Sequence, residues 1–134
     1  MLDERHGPAG SPIFNPDGEG SAIIPAVAPV DGEAVVVKGL PNSFAGTDLH
    51  ARIAATGRKE LIVAGFMTHM CVSATVRAAL DLGYRNTVVA AATATRDLPD
   101  PAGGVVPAAE LQRNELAALA DLFAVVVKDC GAWG

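Results

Sequence analysis

From residue 34 onward, apolar positions come in short blocks separated by helical periodicity. "AVVVK" (34–38) is β-branched and continuous, the pattern of a buried strand. "TDLHARIAATG" (47–57) reads as a helix, with Thr47 as N-cap, Leu49 and Ile53 one turn apart, and Gly57 as the stop. "ELIVAG" (60–65) is the second strand. A helix is predicted from about Met70 to Leu82, with Val72, Val76, Ala79 and Leu80 as its inner stripe, Arg77 and Asp81 four residues apart on another face, and Gly83 after its end. "NTVVAA" (86–91) is a third strand and 93–104 a loop. Pro107 opens the next helix, which carries Leu116, Leu119 and Phe123, and "AVVV" (124–127) closes the pattern as a strand. Residues 1–33 are different: Gly, Pro and Asp recur without period, so the segment reads as an extended, turn-rich lead-in. A loop of that length in a compact domain is unusual.

Strands alternating with helices imply βαβ units, hence an α/β domain with a parallel sheet and helices on its faces. Ligands of such sheets bind at the carboxyl ends of the strands. Lys38 ends one strand and Cys71 follows the end of another, so both are expected at that edge. The chain has 134 residues, which suits one domain: a lead-in over 1–33 and a βα core over 34–128. Its charge of −5 argues against a nucleic-acid partner, and no apolar run approaches a membrane span. The N-terminus has no apolar stretch of signal-peptide type. Cys71 and Cys130 lie far apart and match no zinc spacing, and the three histidines show none either. A reducing cytoplasm is the simplest setting.

Cys71 is the candidate for chemistry. A helix start presents free N–H groups and partial positive charge, which favour a thiolate and can hold the oxyanion of a tetrahedral intermediate. Lys38 could add charge nearby. The plain alternative is a small buried hydrophobe, a common role for free cysteine. Cys130, in "KDCGAWG", reads as structural or incidental. A lysine closing a strand ordinarily reaches solvent. His69 could be a base, but residues next to each other at a helix start point apart, which leaves substrate contact or exposure.

Three runs, "AVVVKGLPNSFAGTDL", "ELIVAGFMTHMCVSATVRAALDLGY" and "NTVVAAATATRDLP", resemble the isochorismatase-like cysteine hydrolases, a superfamily that includes nicotinamidases and N-carbamoylsarcosine amidases. The K-x5-F-x-G-T and G-x2-T-x2-C-V blocks, in this order, carry the resemblance. It implies a three-layer α/β/α fold with Rossmann-like topology, sheet order 3-2-1-4-5-6 and an Asp–Lys–Cys triad. Cys71 falls on the nucleophile and Lys38 on the triad lysine. The resemblance further implies a cis peptide between Phe66 and Met67, and an oxyanion hole from the amides of Met67 and Cys71. Phe44 falls where an aromatic borders the pocket, and Phe66 and His69 fall on variable positions near substrate. The metal-site spacing of metal-dependent nicotinamidases does not precede Lys38, so neither metal nor other cofactor is expected. Relatives form dimers or tetramers, so a homo-oligomer is expected.

One departure stands against the match. The family's triad aspartate ends its first strand, ahead of a helix and a second strand, and no counterpart of these is read in the sequence. Asp3 comes too late in the family order to be that acid, and Asp17 and Asp31 fall in later loops. Two readings follow. One is a cysteine hydrolase of a small amide or related C–N bond, impaired in this chain for want of the aspartate. The other is a non-catalytic interaction module of the same fold.

Overall fold

The computed structural model describes residues 1–133. The chain divides into two compact units, Met1–Thr56 and Gly57–Gly134. In the first, strand β1 (Leu2–Arg5) pairs in parallel with β2 (Val35–Lys38), in the register Asp3 to Val36 and Arg5 to Lys38. Residues paired across a parallel ladder share a face, so Asp3, Arg5, Val36 and Lys38 lie on one side. That side is the inner one: Val36 and Lys38 are buried, whereas Val37 between them is exposed. Single 3-10 turns at Glu19–Ser21 and Pro25–Val27 interrupt the connection between the strands. Helix α1 (Leu49–Ala55) follows β2 and buries Leu49. The Thr47 hydroxyl accepts from the Leu49 N–H at 3.3 Å, although Asp48 holds the cap position.

Strand β1 corrects the sequence reading, which set no element before residue 34. "LDER" has one apolar residue and no β-branched run, so it carries no strand signal of its own. Its extended form is set by the ladder with β2, a tertiary effect that local propensity does not report.

The second unit holds a three-stranded sheet in the order β3 (Glu60–Phe66), β4 (Arg85–Ala94), β7 (Val125–Val127), all parallel. The register forms two rows across it. Val63, Val88 and Val126 align on one face, and Ile62, Thr87 and Val125 on the other. Helices α2 (Ser73–Asp81) and α3 (Ala108–Leu122) bring Val72, Val76 and Leu119 to Val88, with Leu116 and Phe123 packed against the cluster. Burying each such Val or Leu side chain contributes roughly 1.5–3 kcal/mol. The buried Asn86 amide binds this layer together by donating to the carbonyls of Val76 (3.0 Å) and Phe123 (3.1 Å). The opposite row stays open: Ile62 and Val125 are each 64 % exposed.

The segment 93–104, read as a loop, begins in the last residues of β4 and carries β5 (Leu98–Pro99), which pairs antiparallel with β6 (Val105–Val106). Gly103 and Gly104 close this hairpin at φ of 106° and 91°, a region that suits glycine. Pro107 caps α3 rather than occupying its first helical position.

Candidate active site

β3 leaves the sheet through Phe66, and the Phe66–Met67 peptide is cis. The chain then makes a π-helical turn, Thr68–Val72, before α2 begins at Ser73. The Val72 N–H reaches the Met67 carbonyl at 3.3 Å, and the Ser73 N–H reaches the Thr68 carbonyl, each five residues back. Cys71 therefore lies in this wide turn and not in the regular first turn of an α-helix, as the sequence reading has it. A single turn is too short for periodicity to separate i+4 from i+5 bonding, and π-turns of this kind recur at functional sites. Cys71 is not disulfide-bonded and is 7 % exposed, and Thr68 and Val72 beside it are buried.

Side chains from three directions fix the turn. The Thr68 hydroxyl donates to Gln112 Oε1 on α3 at 2.6 Å. Gln112 Nε2 donates to Thr93 Oγ1 at 3.0 Å and to the Thr93 carbonyl at 3.3 Å, near the end of β4. Arg77 Nε donates to the Ser73 hydroxyl at 3.1 Å, and the guanidinium lies 4.0 Å from the centre of the Phe123 ring. His69 Nδ1 is hydrogen-bonded to the Thr95 hydroxyl. Burial, then the Arg96 cation, hold the His69 imidazole below its usual range, and Glu115 pulls weakly the other way. Phe66, by contrast, is 68 % exposed.

In the first unit the carboxyl end of β2 presents Lys38, which does not reach solvent as a strand-ending lysine ordinarily does. Its side chain is 2 % exposed and its ammonium lies 2.7 Å from Asp3 Oδ1. It also donates to Ser43 Oγ at 2.7 Å and to the Pro41 carbonyl at 3.2 Å. The Ser43 hydroxyl in turn donates to Asp3 Oδ2 at 2.6 Å, so the serine bridges both members of the pair. Phe44 follows in an Asx turn, its N–H bonded to Asn42 Oδ1 at 3.0 Å, and its side chain is half-buried.

Of the residues singled out from sequence, Lys38 and Phe44 belong to the first unit, and Phe66, Met67, His69 and Cys71 to the second. Asp3, Ser43, Thr68, Thr93 and Gln112 were missed as partners of these groups. Asp3 had been set aside on chain order. Ser43, five residues past Lys38 in the "KGLPNSFAGT" block, was within reach of the motif itself. Gln112 carries no local signal. No three His, Cys, Asp or Glu side chains converge as a metal site among the described residues. No helix among them is long and apolar enough to cross a membrane. A shallow cleft lined by Gly57, Arg58, Lys59, Glu60 and Arg85 opens at the amino ends of β3 and β4, the end of the sheet away from Cys71.

Residues 4–129 match the Isochorismatase domain. The chain belongs to the isochorismatase family. It is 44 % identical over 116 residues to the uncharacterized isochorismatase family protein YddQ of Bacillus subtilis, covering 85 % of this chain and 63 % of that protein. It is 41 % identical over 102 residues to a streptothricin hydrolase of Streptomyces noursei, covering 75 % of this chain and 37 % of that one. The crystal structure of an isochorismatase from Pseudomonas putida superposes with a TM-score of 0.89 at 44 % identity, over 95 % of this chain and 65 % of that one. This isochorismatase-family chain thus spans 63 % of the Bacillus relative's length. The likeness establishes the α/β fold class.

Proposed function

We propose that the chain is a cysteine hydrolase of a small amide or related C–N bond, impaired for want of the family's triad aspartate. The observation that carries this reading is Cys71: a buried thiol held in a wide turn just past the carboxyl end of β3, with its turn tied down by side-chain hydrogen bonds. The Cys71 sulfur attacks the substrate carbonyl carbon, and the amides of Met67 and Cys71 receive the oxyanion. The C–N bond then breaks, the amine departs with a proton, and a thioester remains on Cys71. Water hydrolyses the thioester, releasing the acid and restoring the thiol. The family assigns Lys38 to the same reaction, and its buried ammonium, held by Asp3 and Ser43, supports that role. Phe44, Phe66 and His69 shape substrate choice. Neither cysteine is disulfide-bonded, and a reducing compartment such as the cytoplasm suits both thiols.

The resemblance implies a triad aspartate that no residue of this sequence matches, so the reading expects this chain alone to turn over slowly. The test is hydrolysis of a panel of small amides by this chain beside a version extended upstream in its reading frame, each with Cys71→Ala and Cys130→Ala. Turnover lost in Cys71→Ala and kept in Cys130→Ala supports the reading, and turnover unchanged in Cys71→Ala defeats it. The second reading, an interaction module, is favoured by one observation, the open apolar row of Ile62 and Val125 on the sheet.

A further inference from the structure

We propose that Gln112 is a positioning residue for the cysteine turn: its side-chain amide holds Thr68, three residues before Cys71, against Thr93 at the end of β4. Each proton in the chain of bonds has a defined direction. The Thr68 O–H donates to Gln112 Oε1 at 2.6 Å, so the oxygen end of the amide faces the turn. The NH₂ end faces β4 and donates to Thr93 Oγ1 at 3.0 Å and to the Thr93 carbonyl at 3.3 Å. The Thr93 hydroxyl, occupied as an acceptor, donates onward to the Ala90 carbonyl at 3.0 Å. Flipping the amide would set its oxygen against the Thr93 carbonyl, two acceptors with no proton between them, so one orientation is selected.

The anchor is firm at both ends. Gln112 stands on α3, one turn before Leu116, which packs against the core cluster, and two before the buried Leu119, which belongs to it. Thr68 is 0 % and Thr93 8 % exposed. An apolar pair of the same shape would fill this space with comparable stability. A buried directional clamp adds a single permitted orientation of the turn, which a site of thiol chemistry requires and a core does not. The consequence for turnover rests on the reading of Cys71 as nucleophile, whereas the clamp is tested on the thiol itself.

The experiment uses the chain as it stands and iodoacetamide as the probe. Alkylation of Cys71 and Cys130 is followed separately by peptide mass spectrometry, with the exposed Cys130 as internal reference. Thr68→Val keeps the shape and loses the hydroxyl, Thr68→Ser keeps the hydroxyl and loses a methyl, and Gln112→Met keeps the length and loses the amide. The clamp predicts that Thr68→Val and Gln112→Met each raise the Cys71 rate about fivefold or more, consistent with coupling across one strong contact. The double variant should go no further than the larger single change, Thr68→Ser should stay within about twofold of wild type, and Cys130 should not change. A role in packing alone reverses the order at Thr68, since Ser leaves a void and Val does not. That reversal, additive single changes, or an unchanged rate in Gln112→Met overturns the proposal. The two Thr68 variants keep the test decisive if Gln112→Met does not fold. Amide turnover unchanged in Cys71→Ala would count against the nucleophile reading, and the order of the variants would still decide the clamp.

Discussion

Replacing Asp3 by Asn removes one charge and almost no volume from the partner of a buried ammonium. In the native protein Lys38 Nζ has three acceptors: Asp3 Oδ1 at 2.7 Å, Ser43 Oγ at 2.7 Å and the Pro41 carbonyl at 3.2 Å. The lysine side chain is 2 % exposed and the aspartate 38 %. Breaking a fully buried pair by removing one partner costs about 3–5 kcal/mol, because a charge is left uncompensated, whereas an exposed pair is worth about 0–1 kcal/mol. This pair lies between those limits. Water reaches the carboxylate, and two neutral acceptors stay with the ammonium, so about 2 kcal/mol is the expected loss for Asp3→Asn. The reverse truncation is milder: Lys38→Met leaves a carboxylate that solvent can hydrate and that still accepts from Ser43. Asp3→Asn/Lys38→Met should recover most of the loss, since no charge then remains unpaired. Urea unfolding reads this directly, and with a slope of about 2 kcal/mol/M the midpoint of Asp3→Asn should fall by about 1 M. A shift under about 0.3 M, or a larger loss for Lys38→Met than for Asp3→Asn, would refute the argument that the carboxylate compensates a buried charge.

Three further outcomes are expected. Burial and the Arg96 cation keep the His69 imidazole neutral to lower pH in the folded protein than in the unfolded chain. The unfolded chain therefore binds more protons between about pH 6.5 and the lower folded-state value, so stability is full above about pH 6.5 and is lost as pH falls from there through that lower value. The unfolding free energy of wild type minus that of His69→Gln should shrink between about pH 7.5 and pH 5.5, and a constant difference would show that His69 is not held neutral. The open row of Ile62 and Val125 should drive self-association, so sedimentation should give a dimer or tetramer that Ile62→Lys weakens; a monomeric wild type at tens of micromolar would count against it. Asn86→Ala removes two bonds that join β4 to the middle of α2 and the end of α3, and should cost about 2–3 kcal/mol in thermal or urea unfolding.

The parts of the fold that were legible in sequence are those with their own local signal. "AVVVK", "ELIVAG" and "NTVVAA" announce strands through continuous β-branched or apolar runs, and of the stripe Val72, Val76, Ala79 and Leu80 the first three are buried and Leu80 is half-buried. Leu2–Arg5 was illegible because three of its four residues are charged and its extended form depends on residues more than thirty positions away. At the site, Cys71 and Lys38 were found because motif blocks mark them. Their surroundings were not found, because Asp3 reaches Lys38 only through the β1–β2 register, and Gln112 reaches Thr68 across 44 positions of sequence. Periodicity reports which face a residue takes, and carries nothing about which polar atoms meet once faces are packed.

The central claim is that the Cys71 sulfur forms a covalent bond to the substrate carbonyl carbon. The direct measurement is mass spectrometry of acid-quenched enzyme during turnover of a small amide, on the chain extended upstream, with the mass located by tryptic digestion. The account predicts an acyl mass on the peptide Glu60–Arg77, which contains Cys71, lost after hydroxylamine treatment and never formed in Cys71→Ala. Sustained turnover with that peptide unmodified at every quench time, at a rate equal in Cys71→Ala, would contradict it.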